Sequence, residues 1–117
     1  MPGSRDVEVL QHIIDYCNEI EFTMDNFGRD YNIFISNSIY QNAVALCVLQ
    51  IGELTTHFTD EFKNTYSKIP WNQIKALRNI VAHSYGKIDK EILWETLEQD
   101  IPVLNKYCLQ ILKENAQ

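Results

Sequence analysis

Apolar residues recur along this chain at steps of three and four. In the first stretch they fall at Leu10, Ile13, Ile14, Cys17, Ile20, Met24 and Phe27. That is the spacing of one helix face, not the alternation of a strand. Ser4 stands ahead of them as an N-cap, and Asp6 and Glu8 occupy the first turn, where the helix dipole favours acids. Gly28 follows as a natural C′ residue, so the pattern predicts a helix over roughly 5–27. Residues 29–36 read as a loop or loose turn. A second run begins near Asn37 and carries Ile39, Tyr40, Ala43, Val44, Leu46, Cys47, Leu49, Ile51 and Leu54. It is apolar almost all round between 43 and 51. Such a helix is buried on most sides, or once by its own fold and again by a partner. Gly52 costs about 1 kcal/mol relative to alanine in a helix, so its place there points to close packing.

Residues 59–69 form a polar connection with room for one helical turn. Pro70 sits where a helix accepts proline at N1. Trp71, Ile74, Leu77, Ile80 and Val81 continue at helical spacing until Gly86 breaks the pattern. Asp89 caps a last helix with Ile92, Leu93, Leu97, Ile101, Leu104, Tyr107, Cys108, Ile111 and Leu112 on its apolar face. Pro102 should kink that helix or loosen one of its turns. Short connections between such helices predict an all-α fold, an antiparallel bundle of four to five helices.

Composition narrows the class. The 117 residues fit one domain spanning 1–117, and 45% hydrophobic content is ordinary for a globular fold. No apolar run reaches the roughly 18 residues that span a bilayer. The MPGSRDVEV start has neither the apolar core nor the cleavage site of a secretory signal, so a cytoplasmic location is expected. Cys17, Cys47 and Cys108 lie far apart in apolar-periodic stretches, without CxxC spacing. They read as small buried core residues in a reducing compartment. No His, Cys or carboxylate cluster has zinc-site spacing, so no metal is expected.

The stretch Arg78-Asn79-Ile80-Val81-Ala82-His83-Ser84-Tyr85 carries chemistry. Polar residues interrupt an apolar helix just before its glycine stop. Asn79 and His83 are one turn apart on one face, and Arg78 and Tyr85 are two turns apart and nearly in line. Arg78 and His83 differ by about 140° around the axis, so they converge only if the helix end distorts or a second chain completes the site. The side chains suit cleavage of a phosphate ester. Histidine trades a proton near neutral pH, and arginine offers a planar fork for phosphate and its developing charge. In RNA the 2′-hydroxyl is a built-in nucleophile, so no metal is strictly required. The same residues also suit a helix C-terminus, where cations meet the dipole and free carbonyls.

The Arg-Asn-x-x-x-His-x-Tyr string resembles the signature of HEPN-domain proteins, in particular the HepT-like branch of prokaryotic toxins. Ile51-Gly52-Glu53 resembles that branch's Ile-Gly-Glu segment. Pro70-Trp71 with Ile74, and Ile88-Asp89 with Trp94 and Ile101-Pro102, resemble the regions flanking its motif helix. The likeness runs from the first helix to Leu112. It implies a homodimeric, metal-independent endoribonuclease with two motifs meeting at the dimer interface. Arg78 and His83 would then be the catalytic pair, and Asn79 a polar helper. The family's antitoxin is a minimal nucleotidyltransferase that uses ATP and magnesium to transfer AMP to the motif tyrosine, here Tyr85. Each AMP would place an anionic phosphodiester beside Arg78. Glu53, Lys75 and Ser84 are supporting residues, with Glu53 suited to bonding an N–H or an arginine. Trp71 and Trp94 read as packing anchors, and His12 and His57 as surface or boundary residues. The ribonuclease itself needs no cofactor.

Two other readings compete. One is a non-catalytic HEPN module that partners a nucleotidyltransferase, holding nucleotide or phosphate at Arg78. The other is a purely structural helical dimer, which leaves the motif string unexplained. Charge bears on the choice. The net charge of −6 argues against a protein that coats nucleic acid. Residues 1–62 carry −8 and residues 91–117 carry −3, however, whereas residues 63–90 carry +5 through Lys63, Lys68, Lys75, Arg78, Lys87 and Lys90 against Asp89. The basic stretch brackets the motif, as a narrow RNA cleft would require.

Overall fold

The computed structural model describes residues 3–79 and 89–115, and all regular structure in them is helical. Helix α1 (Ser4–Phe27) is followed by α2 (Tyr31–Ile35), α3 (Ser38–Leu54), a 3-10 turn (Thr55–His57), α4 (Asp60–Thr65) and α5 (Trp71–Ala76). After the motif come α6 (Lys90–Glu95), a π turn (Thr96–Asp100) and α7 (Ile101–Asn115). None of these helices is long and apolar enough to cross a membrane.

Helix α1 is the spine. Its predicted stripe of Leu10, Ile13, Ile14, Cys17, Ile20 and Met24 is buried, chiefly against α3 and secondly against α7. Its N-cap is Gly3, not Ser4, and no side chain caps it. Asp6 instead turns inward and is 2% exposed. It accepts from the backbone N–H of Thr59 at 2.9 Å and from its hydroxyl at 2.8 Å. At the other end Gly28 takes φ 118°, a value that L side chains rarely adopt, and donates its N–H to the Met24 carbonyl at 2.9 Å.

The segment 29–36, expected to be a loop or loose turn, contains the short helix α2. Five residues are too few for a periodic signal, but Asp30 caps them by accepting from the Asn32 N–H at 2.8 Å. Phe34 then anchors the turn in an aromatic cluster, 5.1 Å from Tyr40 and 5.0 Å from Trp94 between ring centres. The polar connection does hold one short helix, α4, capped by Thr59.

Asp89 caps α6 as predicted, accepting from the Ile92 N–H at 3.1 Å. Pro102 loosens the chain one turn earlier, as expected. Proline has no N–H to offer the carbonyl four residues back, and its ring crowds that carbonyl. The backbone widens over Thr96–Asp100, where the Ile101 N–H reaches five residues back to the Thr96 carbonyl. Leu93, Leu97, Ile101, Leu104, Cys108 and Ile111 face the core, whereas Ile92 and Tyr107, assigned to that face from spacing, are exposed. The wide turn rotates the register between the two halves.

The three cysteines are buried and unpaired, as expected. Trp71 and Trp94 are both buried packing anchors.

Candidate functional site

The site is built where α3 ends and α5 begins. Pro70 lies just outside α5, at its N-cap rather than at N1, and Trp71 starts the helix. Trp71 is locked there. Its ring packs 5.0 Å from Phe58 and 5.6 Å from Phe62, and its Nε1 donates to the Tyr66 carbonyl at 3.0 Å. Ile74 is buried on the next turn. The α-helical pattern then tightens. The Leu77 N–H bonds back only three residues to the Ile74 carbonyl at 3.0 Å, and the Arg78 N–H reaches the Lys75 carbonyl at 3.4 Å. The helix end is therefore distorted at the first motif residue.

Arg78 is held by two consecutive residues of α3. A Cβ placed on Gly52 would lie 2.9 Å from the Arg78 backbone nitrogen, 3.0 Å from its Cβ and 3.2 Å from the Lys75 carbonyl oxygen. Only glycine lets the two backbones approach so closely. The buried Thr55 hydroxyl donates to the Gly52 carbonyl at 2.8 Å, tying this point to the following turn. Glu53, one residue on, takes the other end of the arginine. Its Oε1 accepts from Arg78 Nη1 at 3.0 Å. Arg78 Nη2 and Nε have no hydrogen-bond partner among the described residues.

Lys75 and Asn79 are exposed. His83, Ser84 and Tyr85 lie outside the described residues, so the convergence of Arg78 with His83 and the surroundings of Tyr85 lie outside them too. His12 and His57 are both exposed, away from the pair. Among the described residues no group of three or more His, Cys, Asp or Glu side chains could hold a metal ion. From the sequence Glu53 is a carboxylate suited to an N–H or to an arginine, and the fold gives it the arginine. The contact of Gly52 with Arg78 itself was not legible there, because a glycine within a helix marks a close approach but not what approaches.

The family described as ribonuclease HepT-like matches residues 10–111. A Methanocaldococcus jannaschii protein with a provisional RNase name is 36% identical over 106 residues, covering 89% of this chain and 94% of its own. A similarly named protein of Caldanaerobacter subterraneus is 30% identical over 106 residues, covering 90% and 92%. A Thermococcus cleftensis protein, provisionally named ribonuclease HepT, is 30% identical over 95 residues, covering 80% and 86%. No solved structure matches the chain significantly.

Proposed function

The chain belongs to the HepT-like ribonuclease family of the HEPN superfamily, and on that premise we propose that it is a metal-independent endoribonuclease, the toxin of a toxin–antitoxin pair. The observation that carries this reading is Arg78, its backbone set against Gly52 and its guanidinium held by Glu53, inside the basic stretch of an otherwise acidic chain.

In the proposed reaction Arg78 binds the scissile phosphate through the donors that Glu53 leaves free. His83 takes the proton of the RNA 2′-hydroxyl. The 2′-oxygen attacks phosphorus, the bond to the 5′-oxygen breaks, and the leaving oxygen takes up a proton. The products are a 2′,3′-cyclic phosphate and a 5′-hydroxyl. A positioned acid or base contributes about 10²–10⁴ in rate, and the arginine stabilises the charge that gathers on the phosphate oxygens. Asn79 orients His83 or the phosphate, and Lys75 and Ser84 support binding.

The active unit is a homodimer. Phe22, Ile39 and Leu46 are 70%, 69% and 56% exposed, and Ala43, Leu46 and Phe22 border one groove between α1 and α3. Exposed apolar surface of this kind supports burial by a second copy. Control is by a nucleotidyltransferase antitoxin that transfers AMP from ATP to Tyr85, adding bulk and negative charge beside Arg78.

The experiment is cleavage of single-stranded RNA by the purified chain in EDTA, together with its intact mass after co-expression with a minimal nucleotidyltransferase. Cleavage that disappears in Arg78→Ala and His83→Ala, and a mass gain in AMP units that disappears in Tyr85→Phe, support the reading. No cleavage by unmodified protein, with a tight complex in its place, turns it to a non-catalytic partner of the transferase.

A further inference from the structure

The Glu53–Arg78 pair is badly placed if stability were its purpose. Both side chains are partly exposed, 48% and 34% respectively, and an ion pair in contact with water adds little to a fold. The carboxylate also stands 3.0 Å from the cation that must attract a phosphodiester. By charge alone it weakens RNA binding.

The geometry offers a reason for accepting that penalty. A free arginine side chain samples many rotamers, and catalysis needs one of them. Here the pair engages Nη1 alone, so one corner of the planar fork is tethered while Nη2 and Nε have no partner among the described residues. The other end of the residue is restricted as well, because the Gly52 backbone lies against the Arg78 nitrogen and Cβ. Two successive residues of α3 thus restrict Arg78 at both ends.

We propose that Glu53 is a positioning residue, which acts through Arg78 by aiming the guanidinium at the scissile phosphate from a backbone set by Gly52. The inference rests on the ribonuclease reading for its catalytic consequence, but not for its structural one. The opposite role, a mask that RNA must displace, shares the same contact and predicts changes of the opposite sign.

The test compares the full-length wild type with Glu53→Ala and the near-isosteric Glu53→Gln, using single-stranded RNA as substrate. Melting temperature and the ¹H–¹⁵N heteronuclear NOE of the Arg78 Nε–H are measured alongside. Positioning predicts melting temperatures close to wild type and kcat lower by about 10²-fold in Glu53→Ala. KM should stay level or fall, since a repelling charge is gone. Glu53→Gln, which keeps the acceptor oxygen, should recover part of kcat. The Arg78 Nε–H should be ordered in wild type and mobile in Glu53→Ala. A kcat that is unchanged or raised in Glu53→Ala overturns the inference, and a raised kcat/KM identifies a mask instead. Wild type that cuts no RNA sinks the ribonuclease reading alone. Positioning then stands or falls on the NOE, and an Arg78 Nε–H equally mobile, or equally ordered, with and without Glu53 overturns it.

Discussion

Asp6 and Thr59 lie 53 positions apart in sequence, and the buried Asp6 carboxylate accepts both the backbone N–H and the hydroxyl of Thr59. Thr59 in turn caps α4, its hydroxyl oxygen accepting from the Phe62 N–H at 3.1 Å. The start of α1 and the start of α4 are therefore one hydrogen-bonded unit, and α4 carries the Phe62 side chain against which Trp71 packs. Asp6→Ala leaves the Thr59 N–H without its acceptor and is expected to cost about 2 kcal/mol, within the range for hydrogen bonds to charged groups. Urea unfolding of Asp6→Ala, Thr59→Ala and the double variant measures it. Costs that simply add would show that the two residues are not coupled.

Gly52→Ala tests the close approach of α3 to the motif. Helix propensity alone predicts a gain of about 1 kcal/mol. The new Cβ would meet the Arg78 nitrogen at 2.9 Å and the Lys75 carbonyl oxygen at 3.2 Å, and these are backbone atoms with little room to retreat. Overpacking of this kind costs about 1–3 kcal/mol. A lower melting temperature, with a displaced Arg78 amide signal, is the expected result. A more stable variant would mean that the contact is slack.

Arg78→Lys separates fold from chemistry. The pair with Glu53 is partly exposed, so its loss should change stability by less than about 1 kcal/mol. Lysine keeps the charge but lacks the planar fork, and cannot hold Glu53 and a phosphate in one fixed geometry. Melting close to wild type, together with loss of RNA cleavage, is the expected combination, checked by calorimetry and gel assay.

The buried thiols make an alkaline limit. Burial, with a smaller effect from Glu19, raises the Cys47 pKa to about 12; burial alone does the same for Cys108. Cys17 is also raised, first by burial and then by Cys108. The ordinary value for these thiols is 9.0. Their contribution to stability is complete below about pH 9 and is lost as pH rises towards 12, because the unfolded thiols ionise first. Melting temperature should fall over that window, and less steeply in Cys108→Ala. In the native state at pH 8 a thiol reagent should label none of the three until the protein unfolds.

Leu46→Glu probes the apolar face of α3. With Leu46 56% exposed, the charge should leave the single-chain fold intact, and light scattering should report half the wild-type mass. A wild type that is already monomeric removes the dimer from the proposed function.

Much of this molecule was legible in its pattern of apolar residues. The buried stripe of α1, the cap at Asp89, the loosened turn before Pro102 and the burial of all three cysteines follow from spacing and local chemistry. The sequence by itself also placed the basic stretch around the motif and carries the string and the Ile-Gly-Glu segment that resemble the family's. These properties are local, because a helix face, a cap or a missing proline N–H acts within about one turn of its own residue. Tertiary structure decided the rest. It turned 29–36 into a capped helical turn, because Phe34 found Tyr40 and Trp94 across the fold. It moved Asp6 from a helix-dipole acid to a buried acceptor for Thr59. It also made Gly52 and Glu53 the seat of Arg78, 25 positions further on in the case of Glu53. Contacts over such separations depend on how whole helices lie against one another, and no periodicity within a single helix records that.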